Sequence, residues 1–104
     1  SVQQRGGLFL TEQIGSKNFR IRKSDVGYTT DFHLAGDATF IIIQKGSLKI
    51  ELQNGEFKIF NPGDCFIAQD NLPEHIEIDN AIHGHKASVV GNETRQAIHI
   101  KLNL

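Results

Sequence analysis

Residues 47–60, SLKIELQNGEFKIF, restrict the fold more than any other stretch of the chain. Leu48, Ile50 and Leu52 alternate with Lys49, Glu51 and Gln53, the period of two expected of a half-buried strand. Asn54-Gly55 then offers the positive φ angles of a two-residue hairpin turn, and Phe57 and Ile59 continue the apolar face on the return strand. Helical periodicity is nearly absent elsewhere, while alternation recurs. NFRIRK (18–23) sets Phe19 and Ile21 on one face and Arg20 and Arg22 on the other. FIIIQ (40–44) is apolar on both faces and predicts a strand covered on both sides. Its outer side would meet either a second subunit or the chain's own N-terminal segment. NPGD (61–64) reads as a second turn, and VVGNETRQAIHIKL (89–102) as a third hairpin. Short strands punctuated by ten glycines predict an all-β antiparallel sandwich or barrel.

At 104 residues the chain is expected to form one domain, residues 1–104, with neither repeat nor linker. A net charge of −1 gives no reason to expect nucleic acid or an anionic membrane as partner. No apolar run approaches the roughly 20 residues of a membrane-spanning helix, and the N-terminus has too short an apolar stretch for a signal peptide. Cys65 is the one cysteine, so no internal disulfide forms, as suits a reducing cytoplasm. Its apolar neighbours predict a small core residue.

Two segments resemble the paired motifs of the cupin superfamily. FHLAGDATFIIIQKGSLKIEL (32–52) is similar to the first motif, a His-x-His pair, an acidic residue and a glycine at set spacing. FNPGDCFIAQDNLPEHIEI (60–78) is similar to the second, which runs from a Pro-Gly-Asp turn through a short strand to a histidine. With HGHKASVV (83–90) and the last strand, the likeness covers roughly residues 28–104, preceded by N-terminal strands over 1–27. It implies a double-stranded β-helix, or jelly-roll, barrel. The superfold hosts enzymes, sensor domains and storage proteins alike, so it implies no single activity.

The ligand positions depart from the pattern. Counted back from Gly46, the acidic position falls on Thr39 and the His-x-His pair on His33 and Ala35, with Asp37 two residues away. In the second motif the histidine position falls on Glu74, with His75 one place late; a second register makes His85 the motif histidine, with His83 beside it. Alternation sets His83, His85, Ala87 and Val89 on one face, and sets His75 and Glu77 opposite Ile76 and Ile78, the natural core residues of that stretch. The candidate site is therefore His33, Thr39, His83 and His85, with Glu74 and His75 as alternatives. A divalent metal (Zn, Fe, Ni or Mn) would draw on His33, His83 and His85, without the usual acidic ligand. His99 in AIHIK reads as a surface residue.

Three functions follow from this reading. The first is a small-molecule-binding module, its pocket lined by Phe40, Ile42, Leu48, Ile50, Phe66 and Cys65 or its neighbours. The second is a metal-dependent enzyme of isomerase, cyclase, lyase or dioxygenase type, with histidine as base or ligand. The third is a structural role as a homodimerisation unit through the FIIIQ strand.

Overall fold

The computed structural model describes residues 2–69, 76–77, 79 and 82–103. Glu74 and His75, the alternative site residues, lie outside them. The architecture is all-β and antiparallel. A terminal hairpin of β1 (Val2–Arg5) and β2 (Leu8–Thr11) turns on Gly6-Gly7, both at positive φ. The main body consists of two facing sheets. One has the order β3-β9-β4-β7, from Ser16–Ser24, Arg95–Leu102, Thr39–Lys45 and Cys65–Ala68. The other has the order β6-β5-β8, from Phe57–Phe60, Ser47–Leu52 and His85–Val90. Residues 28–33 run beside β8 through bridges Thr29–Ser88 and His33–His85, which widens the second sheet by a short irregular strand. Consecutive strands β4 and β5 lie in different sheets, as do β8 and β9. The expected third hairpin is therefore a crossing from one sheet to the other, as the jelly-roll path requires.

The core sits between the sheets. Ile41, Ile43 and Ala97 from the first sheet meet Leu48 from the second, and Phe60 stacks on Phe66 at 4.0 Å between ring centroids. Ile43 is 1% exposed, and burying such a side chain contributes about 1.5–3 kcal/mol. Gly46 makes the β4–β5 crossing possible. Its φ is +68°, and a Cβ there would stand 2.9 Å from the Arg95 Cα, so the turn is closed tightly against β9.

The β5–β6 hairpin forms, but not with the expected register. Glu51 pairs with Phe57 and Leu48 with Phe60, and Gly55 at φ +88° ends a three-residue loop of Gln53, Asn54 and Gly55. A two-residue turn would have paired Leu52 with Phe57. The extra loop residue shifts β6 by one place, which moves every side chain to the other face. Phe57 and Ile59 are consequently exposed, and Phe60 takes the inner face. Lys49 lies over the outward Phe57 ring at 4.5 Å.

The direction of the faces emerges elsewhere too. On β3 the face of Phe19, 71% exposed, and Ile21, 58%, turns outward, and on β4 the inner face carries Thr39, Ile41 and Ile43, leaving the expected pocket residues Phe40 and Ile42 outside. Cys65 is exposed on the outer face opposite Ile42, so it is not a core residue. Ile76 is exposed as well. The physical reason is common to the strands of the first sheet. Because β4 is apolar on both sides, apolarity alone does not say which of its faces turns inward, nor therefore which face of β9 beside it and of β3 beyond.

Candidate inter-sheet site

The space between the sheets continues past the core into a cavity of about 410 Å³, within the range typical of small-molecule sites. Its floor is apolar, from Ile41, Leu48, Ile50, Phe66, Ala68 and Ala87. Of the expected apolar lining, Leu48, Ile50 and Phe66 are present, while Phe40, Ile42 and Cys65 face away.

At one end, His33 and His85 stand together with ring centroids 4.6 Å apart and planes tilted by 54°. Their backbones hold them there, since each N–H donates to the other's carbonyl at 2.9 Å. Gly84, at φ +83°, permits that approach, because a Cβ there would lie 2.6 Å from the His33 carbonyl carbon. His33 Nδ1 is 3.0 Å from the Asp31 carbonyl oxygen. In the neutral ring Nδ1–H donates to that oxygen, which leaves Nε2 as the acceptor. Thr39, 4% exposed, lines the same cavity and donates its hydroxyl hydrogen to the Asp37 carbonyl. Asp37 stands at the rim, paired with Lys17 at 3.2 Å.

His83 is not on this wall. The left-handed Gly84 interrupts strand alternation just before β8 begins, so His83 and His85 do not project together. His83 belongs instead to a turn, where its Nδ1 accepts from the Asp79 N–H at 2.9 Å and its carbonyl accepts from Gln53. Two imidazoles fall short of the three or four protein donors that a resident metal takes. Among the described residues no group of three or more histidine, cysteine, aspartate or glutamate side chains completes such a set. The donors described here therefore do not fit a metal centre.

The opposite wall holds what sequence reasoning missed. Arg20 and Arg22 of β3, and Arg95, His99 and Lys101 of β9, all line the cavity. Pairing sets them in rows, with Arg20 beside His99, Arg22 beside Ala97 and Ser24 beside Arg95. Arg95 is 3% exposed; its Nη1 donates to Ser24 Oγ at 3.3 Å and its Nη2 to His99 Nε2 at 2.6 Å. Lys101 donates to the Ala35 carbonyl at 3.1 Å. Burial, then the positive charges of Arg95, Arg22, Lys101 and Arg20, push the His99 pKa down from 6.5 to about 4. His99 is thus a neutral, half-buried acceptor at pH 7 and not a surface residue. The alternation of RQAIHIKL did reveal which residues share a face. A cue to its direction was Ala97, small enough to sit wholly buried among the long cations.

No family model and no curated protein sequence matches the chain. Solved structures do. A cupin-2 domain protein from Shewanella frigidimarina superposes with a TM-score of 0.58 at 15% identity, covering 82% of this chain and 69% of that one. A cupin-superfamily sugar phosphate isomerase from Silicibacter pomeroyi gives 0.58 at 14%, covering 83% and 50%. The polyketide cyclase RemF from Streptomyces resistomycificus gives 0.55 at 14%, covering 88% and 70%. The chain spans about half of the isomerase, and likeness at these identities is a likeness of fold.

Proposed function

We propose that this chain, which has the cupin fold, is a small-molecule-binding protein whose ligand occupies the cavity between the two sheets. The observation that carries this reading is the cavity's division of labour. A wall of polar groups converges from separate strands on a space with an apolar floor, the usual build of a site that orients a small ligand. His33, Thr39 and His85 are the proposed contacts at one end. A fragment titration followed by amide NMR shifts tests it. The expected result is a saturable cluster of shifts at His33, Thr39, His85 and Ala87, lost in an Ala87→Phe variant that fills the space. Shifts confined to the outer surface, or binding that Ala87→Phe leaves intact, overturn the reading.

A catalytic version draws on one further observation, the fixed orientation of His33. A neutral imidazole held through Nδ1 presents Nε2 as a general base. In that version His33→Asn abolishes turnover of the bound compound while leaving its affinity within a few-fold. Equal loss of binding and turnover would assign His33 to binding alone.

Homodimerisation belongs to the same proposal. The outer face of the first sheet carries Phe19, Ile21, Phe40, Ile42, Ile98 and Ile100 in paired rows across three strands. A contiguous apolar face of this kind is a feature of association surfaces. A second copy is the proposed occupant, since the rows carry no charge for a charged partner to recognise.

A further inference from the structure

The first sheet reverses the usual polarity of a sandwich, with cations lining the cavity on its inner face and apolar side chains on its outer face. Arg20, Arg22, Arg95 and Lys101 face the cavity, against one lining carboxylate among the described residues, Asp37, which is already paired with Lys17. None of the four cations has a carboxylate ion partner among the described residues. Arg95 makes this most pointed. Its guanidinium is buried, its neighbours are a neutral hydroxyl and an imidazole, and its Nε has no hydrogen-bond partner among the described residues. Buried arginines are ordinarily paired, because an unpaired charge loses its hydration without compensation. Arg22 adds to the imbalance: the burial of Arg95 first, and then the Arg22 charge, lowers the Arg95 pKa.

Resting on the binding function proposed above, we propose that the ligand is a small organic dianion, whose oxyanion group lies against Arg20, Arg22 and Arg95 and whose remainder reaches toward His33 and His85. Arginine presents a planar fork of N–H donors that matches carboxylate and phosphate oxygens two at a time. Two such forks on β3, with a third on β9, suit a group with several oxygens and more than one negative charge. A volume near 410 Å³ leaves space beyond the charged group for a body of sugar or short-acid size. The apolar floor of Ile41, Leu48 and Ile50 would contact that body, and the histidine pair would meet its far end. A phosphate monoester and a dicarboxylate share this chemistry, so the test separates them.

The full chain is titrated, with NMR detection, against glucose 6-phosphate, succinate, inorganic phosphate and neutral glucose. Wild type is compared with Arg22→Gln and Lys101→Gln, which alter side chains less buried than Arg95. The expected result is saturable binding of glucose 6-phosphate or succinate, whichever body fits, with shifts at Arg20, Arg22, Arg95 and His99. Arg22→Gln weakens it about tenfold or more, the usual loss for a charge-assisted hydrogen bond, and glucose binds far more weakly than its phosphate. If inorganic phosphate alone binds, the charged subsite stands and both bodies are wrong. Glucose or a neutral fragment binding at His33 and His85 while every anion fails overturns the dianion and leaves the binding function standing. Failure of all probes, charged and neutral, to shift any cavity residue overturns both. Anion binding of wild-type strength in both variants places the anion elsewhere and overturns the inference.

Discussion

His99 offers a sharp test of the cavity's electrostatics through the stability of the fold. In the unfolded chain its imidazole takes up a proton below about pH 6.5; in the folded protein it does so only below about 4. Between these values unfolding absorbs a proton, so stability falls as the pH drops through that window and is constant, for this group, outside it. At about 1.4 kcal/mol per pH unit the window sets a ceiling near about 3.5 kcal/mol. The ring is partly open to the cavity, where solvent screens the cations, so about 2 kcal/mol is the working expectation. Urea unfolding of wild type and His99→Gln at about pH 7.5 and about pH 4.5 measures it. Carboxylates that titrate in the same range contribute to both proteins, so the difference between the two profiles isolates His99. Wild type is expected to lose about 2 kcal/mol more than the variant on acidification. Profiles parallel to within about 0.5 kcal/mol, or a wild type that gains relative stability in acid, would refute the argument that Arg95 and its neighbours surround this ring.

Three other outcomes follow. Gly84→Ala forces a non-glycine residue to φ +83° and separates β8 from His33; with two backbone hydrogen bonds strained, a loss of about 3–4 kcal/mol is expected in urea, along with the NOEs between the His33 and His85 rings. Gly46→Ala presses on the Arg95 backbone and is expected to cost about 2–3 kcal/mol and to move the His99 pKa back toward 6.5, read by histidine NMR; an unmoved His99 would separate the turn from the cationic wall. For the outer face, Ile21→Lys is expected to convert a dimer to a monomer in sedimentation analysis, and a wild type already monomeric at high concentration would sink the dimer.

How much of this was legible in the sequence can be argued from single strands. Alternation correctly grouped the side chains of β3, β5 and β9, because a period of two is a property of the backbone itself. It did not give the direction of a face. Phe19 and Ile21 look like core residues beside Arg20 and Arg22, yet β3 is an edge strand whose inner side borders a cavity and not packed side chains. The same inversion hid Arg95, His99 and Lys101. Asn54-Gly55 announced a hairpin, but the choice between two and three loop residues rests on local hydrogen bonds such as Asn54 Oδ1 accepting from the Glu56 N–H at 2.9 Å. Motif spacing points to His33 and His85, which stand side by side; strand alternation groups His83 with them only if Gly84 continues the strand, whereas its left-handed backbone ends the alternation there.

Everything proposed above depends on the space between the sheets being a ligand site with a cationic inner wall. The most direct measurement is a crystal structure of the protein grown with glucose 6-phosphate and, separately, with succinate. Electron density for the charged group within hydrogen-bonding distance of Arg20, Arg22 or Arg95, with the body over Ile41 and Leu48, is the predicted result. Side chains of Phe19 and Ile21 filling that space, with the arginines turned to solvent, would contradict it.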